Sequence, residues 1–216
     1  MLKKAIQLYN KGKLEIIEKL ADSSNSIYDE VCFVDDGQIA AQIERDKKVY
    51  LDLSKEIEFL ASYDKADQER NNKLAYLIKK RQDILMHMAF LASNKFENLD
   101  KCLNLIEESP SEFKQCLRAL KLFSLHDEQE AYAILSAYIQ KYDGFLNHYL
   151  LNKTYGKLLL QKQRFDEAIA YLTAAAQLRP EDVELHMWLQ HLYEMVNNKN
   201  GVQIETDIIA LLKGAR

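Results

Sequence analysis

The chain has 216 residues, a formal net charge of −4 with both signs spread along its length, and 48% hydrophobic residues, enough for a continuous core. Six glycines and two prolines are too few for a fold built on hairpins and β-turns, so composition alone predicts an all-α protein. No basic stripe of the kind that tracks phosphates is present, which argues against nucleic-acid binding.

Leu2 to Ala21 reads as helix, broken near Gly12, and Asp22 to Asn25 as a polar linker. Ile27 to Gly37 contains the β-prone run Val31-Cys32-Phe33-Val34, ended by a turn-forming Asp35-Asp36-Gly37. We read it as an extended loop followed by a helix start. From residue 38 to 92 the apolar positions Ile39, Ile43, Tyr50, Leu53, Ile57 and Leu60, then Leu74, Ile78, Leu85, Met88 and Ala92, follow near-heptad spacing. Asp46 occupies one seam position. The polar stretch Tyr63 to Asn72 predicts an antiparallel helical hairpin; an unbroken helix would instead imply a coiled-coil homodimer through 38–92.

Phe96 to Glu108 is predicted as the next helix, with Phe96, Leu99, Leu103 and Ile106 inward. Glu112 to Leu125 and Asp127 to Tyr142 form a hairpin in which Ala119 and Ala131 are a small pair. Tyr149 to Asp182, YLLNKTYGKLLLQKQRFDEAIAYLTAAAQLRPED, is the clearest stretch. Two amphipathic segments meet at a polar turn over Gln161 to Arg164, and Gly156 in mid-helix calls for a close neighbour, expected at Ala168. Val183 to Val196 and Val202 to Leu212 form a last hairpin. Trp188, Leu189, Leu192, Ile204, Ile208 and Leu211 are expected to close the core beneath a polar outer side.

Gly156, Phe165, Ala168, Leu172, Ala175 and Pro180 resemble the small, aromatic, small, large, small and proline positions of the 34-residue tetratricopeptide repeat. The resemblance covers residues 149–182. It implies a superhelical stack of antiparallel helical hairpins, a TPR-like α-solenoid, over residues 73–216 with a C-terminal capping hairpin. Residues 1–72 would form a helical N-terminal region. It also implies a non-catalytic scaffold or adaptor that binds a protein or peptide in a concave groove lined by the first helix of each hairpin. The groove positions are then Phe113, Cys116, Leu120 and Phe123, next Lys153, Lys157 and Leu160, and last Glu184, Met187, His191 and Met195. The first set is apolar, either a hydrophobic groove or a surface that the N-terminal helices cover. Lys153 and Lys157 lie one turn apart on a helix that has no acidic residue, so a local positive field and an acidic partner are expected.

Catalytic motifs are missing. No serine sits in a Gly-x-Ser-x-Gly elbow, no glycine-rich loop could cradle a phosphate, and the five histidines have no metal-ligand spacing. No enzyme activity, cofactor or metal is expected. Cys32, Cys102 and Cys116 read as buried small hydrophobes of a reducing compartment. With no apolar membrane span and with charges interrupting the basic N-terminus, a cytoplasmic setting is expected. Two alternatives stay open: a chaperone of this repeat type for a secreted client, and an accessory domain of a carbohydrate- or nucleotide-handling enzyme system. Asp35-Asp36 is the only hint of the latter.

Overall fold

The computed structural model describes residues 36–62, 68–107, 111–142 and 148–214. Among these the fold is all-helical, with no strand. The expectations for Leu2 to Ala21, and for the strand-like run and Asp35 near 27–37, lie outside the described residues. The described chain divides into two compact units, the first ending at Lys114 and the second beginning at Gln115. The sequence boundary at 72/73 falls within a helix of the first.

In the first unit α1 (Asp36–Ala61) and α2 (Gln68–Ala92) pack against each other. They run antiparallel: Glu56 pairs with Lys73 at 2.8 Å, and Asp46 meets His87 at 2.6 Å. The hairpin expected between 38 and 92 is therefore what forms. Ile43, Asp46, Tyr50, Leu53 and Ile57 alternate by three and four and are all buried, which is the predicted seam. Asp46 is tolerated there because Gln42 donates to one carboxylate oxygen at 2.8 Å and His87 holds the other. Facing them, Leu77, Arg81, Leu85, Met88 and Ala92 are buried, and Arg81 sets its guanidinium 5.9 Å from the centre of the Tyr50 ring.

The helix expected from Phe96 is shorter. A 3₁₀ turn, Phe96–Asn98, leads into α3 (Leu99–Leu105), and Phe96 is exposed. The buried Asn98 is the cause: its amide donates to the Ala92 carbonyl at 3.2 Å, tying the chain back to the end of α2. Leu99, Cys102, Leu105 and Ile106 then fill the core. Burial pushes the Cys102 thiol up to about 12, so it behaves as a small hydrophobe; Cys116 is likewise buried.

The second unit takes in most of α4 (Glu112–Ser124), then α5 (Glu128–Tyr142), α6 (Tyr149–Gln161), α7 (Phe165–Leu178), α8 (Val183–Met195) and α9 (Lys199–Gly214). Three hairpin turns share one local geometry. His126, Gln163 and Asn197 have φ of 65°, 59° and 57°. Around each, the next residue's N–H reaches back to the sixth-residue carbonyl: Asp127 to Leu122, Arg164 to Leu159 and Asn198 to Tyr193, at 2.9, 3.0 and 2.8 Å. The left-handed residue itself donates to Phe123, Leu160 or Glu194, completing a Schellman motif each time. The recurrence gives the unit a structural period that its sequence shows only between 149 and 182.

α6 is the central element, buried along most of its length. Its N-terminus is held by the wholly buried His148, whose Nδ1 accepts from the Leu151 N–H at 3.3 Å, while the Asn152 amide returns to the His148 carbonyl at 2.9 Å. Burial depresses the His148 imidazole to about 3, so it caps the helix uncharged. On one side Tyr155 stacks on Tyr132 of α5 at 5.8 Å and bonds Ser136 at 3.1 Å. On the other side lies α7.

The close neighbour of Gly156 is Leu172, not Ala168. A Cβ at 156 would sit 2.6 Å from the Leu172 Cγ and 3.3 Å from its backbone nitrogen. The turn at Arg164 puts residue 156, eight positions before it, opposite residue 172, eight positions after. Ala168 sits nearer the turn and is buried in its own right.

The last hairpin uses the reverse arrangement, with Gly201 on α9 lying under the Tyr193 ring of α8. Buried His186 bridges the two helices. Its Nε2 donates to the Pro180 carbonyl at 2.7 Å, and its Nδ1 faces the Glu205 carboxyl at 2.7 Å. These contacts set the phase of α9: Gly201, Glu205 and Ile209 point inward. Ile204 and Leu211, expected in the core, therefore lie on the opposite side, 58% and 73% exposed. The outer side of the terminal helix is thus not the polar surface expected.

Candidate protein-binding face

α6 and α8 both belong to the second unit, and their side chains meet along one line. Lys153 and Lys157 project from α6 four residues apart, and Trp188 projects from α8 between them. Its ring centre lies 5.1 Å from the Lys153 ammonium and 4.9 Å from that of Lys157. The Phe123 ring, from the end of α4, approaches Lys157 at 5.4 Å on the other side. Tyr149 lies 5.7 Å from Lys153 and 4.6 Å from the Arg179 guanidinium. Phe123, Lys157, Trp188, Lys153, Tyr149 and Arg179 form a ladder in which aromatic faces alternate with cations.

The two lysines are electrostatically unlike, which corrects the expectation of a positive pair. The Lys153 ammonium donates to Asp182 at 2.6 Å and to Glu184 at 3.1 Å. Both acids come from the start of the next hairpin, about thirty residues on, which is why a search along the lysines' own helix found none. Asp182 is architectural. It accepts from the Tyr149 hydroxyl as well as from Lys153, and its Oδ1 caps α8 by accepting from Leu185 N–H at 3.2 Å. Burial pushes its carboxyl up, but the Lys153 and Tyr149 hydrogen bonds outweigh that and hold it below the ordinary carboxylate value. For Tyr149, burial first and then the Asp182 bond raise the phenol, so it stays protonated. Asp182 and Glu184 together match the charges of Lys153 and Lys157, so the two lysines by themselves do not make the positive pair expected. Lys157 differs: among the described residues its contacts are the rings of Phe123 and Trp188, with no carboxylate in ion-pair range.

The other expected groove positions divide. Met187, His191 and Met195 follow one another at i, i+4 and i+8 on α8 and are all exposed. Leu160 is half-buried at the end of α6, and Phe123 is half-buried beside Lys157. Leu120 is fully buried, as is Cys116, because α4 turns Cys116, Leu117, Ala119 and Leu120 into the core together. Phe113 belongs to the first unit, where its ring lies 5.6 Å from Phe90. The apolar set on α4 is therefore mostly packing, with Phe123 as its contribution to the face.

Sequence reasoning missed Trp188, which it assigned to the core, and Asp182; it placed Glu184 in the groove but not against Lys153. Asp182 carried a signal. It follows Pro180 and stands three residues before Leu185, the spacing of a capping residue.

Among the described residues no group of three or more histidine, cysteine, aspartate or glutamate side chains is placed to hold a metal ion, and no helix is long and apolar enough to cross a membrane. Compared with known proteins, the chain matches no family model, and no curated protein or solved structure is significantly similar to it.

Proposed function

We propose that the second unit is a non-catalytic binding module that takes a polypeptide segment across the face made by α6 and α8. Its fold would be of the tetratricopeptide kind that the sequence of 149–182 resembles. The observation that carries the reading is Lys157: a half-buried ammonium held between the Phe123 and Trp188 rings with no carboxylate of its own among the described residues. Such a cation is poised for a partner's acid, because the rings exclude water from its flanks and fix its position. Met187 and Met195, exposed on α8, offer flexible thioether surface that adapts to varied apolar side chains. The three matched Schellman turns support a rigid scaffold behind the face, which favours recognition of a flexible segment.

The segment expected is one with acidic residues set among apolar ones. Selection of peptides from a random displayed library against the whole chain tests this. Enriched sequences should combine acid with leucine, methionine or aromatic residues, and their affinity should fall about tenfold or more with Lys157→Glu and fall as salt rises. Enriched peptides that bind Lys157→Glu and a Met187→Ser/Met195→Ser variant as tightly as the parent would place binding elsewhere.

A further inference from the structure

We propose that Glu184 acts as an internal competitor for the cationic end of this face and so sets how acidic a bound segment must be. The inference rests on the binding role proposed above. Lys153 holds two carboxylates that differ in every respect but charge. Asp182 is 15% exposed and also serves Tyr149 and the N-terminus of α8, so the fold depends on it. Glu184 is 60% exposed, and its contact with Lys153 at 3.1 Å is the one ion pair it makes among the described residues. Removing that carboxylate still leaves the largely buried Lys153 paired with Asp182, so the fold does not depend on Glu184. Its position is nevertheless informative. It lies against the ammonium that shares the Trp188 ring with Lys157, where an incoming acidic side chain would be drawn.

With Glu184 in place Lys153 is paired twice over, and an acid on a partner meets a carboxylate already seated beside the Trp188 ring, which weakens its attraction to this end of the face. A segment with several acids displaces the Glu184 side chain, which swings into solvent while Asp182 keeps Lys153 in position. Glu184 thus repels or is displaced according to the partner's charge, a discrimination built from an unfavourable contact as much as from a favourable one.

A labelled 12-residue peptide carrying three glutamates among leucines and alanines, and its counterpart with glutamine in their place, test this by fluorescence anisotropy with the full chain. Glu184→Gln should tighten the glutamate peptide about two- to fivefold, leave the glutamine peptide unchanged and steepen the salt dependence. A merely structural role for Glu184 at the start of α8 would move the melting temperature and shift both peptides alike, which would overturn the proposal. Lys157→Gln separates the two levels. If it weakens the glutamate peptide while Glu184→Gln has no effect, the Glu184 role fails alone. If it changes nothing, the reading of the face fails with it.

Discussion

Replacing Gly156 by alanine sets two known effects against each other at one atom. Alanine is the better helix former by about 1 kcal/mol, so an exposed helix would gain from the change. Here the added methyl would come within 2.6 Å of Leu172 Cγ and 2.7 Å of its Cδ2, with the Leu172 backbone nitrogen at 3.3 Å behind them. Leu172 has no exposure and cannot swing away. Separating α6 from α7 instead would loosen the most buried helix of the unit. Overpacking of this kind costs about 1–3 kcal/mol, which exceeds the propensity gain. The net expectation is a loss of up to about 2 kcal/mol, read from urea unfolding followed by the fluorescence of Trp188, the single tryptophan of the chain and a reporter of the second unit. Leu172→Ala alone should cost about 2–5 kcal/mol, but less when combined with Gly156→Ala, where the new methyl occupies part of the space left. Strictly additive effects, or a midpoint raised by Gly156→Ala, would refute the helix contact as described.

Gln163 holds φ at 59°, a conformation that glycine adopts without strain, and it is exposed; Gln163→Gly should therefore raise stability by about 0.5–1 kcal/mol in the same unfolding assay. His148 titrates ordinarily at 6.5 once unfolded but only near 3 when buried, so the unfolded chain takes up a proton that the native chain refuses as pH falls between those values. Stability should drop across that window by at most about 1.4 kcal/mol per pH unit. His148→Asn, which keeps a capping side chain, should flatten the part of the loss above pH 4, leaving the loss at lower pH that protonation of Asp182 contributes.

The helical content was legible because it depends on local terms. Scarce glycine and proline, heptad spacing at Ile43, Tyr50, Leu53 and Ile57, and the polar gap before Gln68 each act within a few residues, and the structure follows all of them. The failures occur where a helix's rotation is set from outside its own sequence. Apolar spacing put Ile204 and Leu211 in the core, yet the phase of α9 is dictated by Gly201 fitting beneath Tyr193 and Glu205 meeting His186. A buried glutamate reads in sequence as a surface residue, so the stripe that contains it is assigned to solvent and the opposite stripe to the interior. Phe96 fails for the same reason, since Asn98 is bound to the end of the preceding helix and sets where α3 begins.

The binding face shows the same division at the level of charge. That Lys153 and Lys157 share one side of α6 follows from their spacing alone. What each one meets does not, because the partners of Lys153 lie about thirty residues on, outside its own hairpin. Lys153, nearer the start of α6, reaches the acids that begin the next hairpin and is neutralised there. Lys157, one turn further along, faces the middle of α8, where the corresponding residue is Trp188. One turn of helix thus separates a lysine that fastens two hairpins together from a lysine that no carboxylate among the described residues meets, and only the register of α6 against α8 tells them apart.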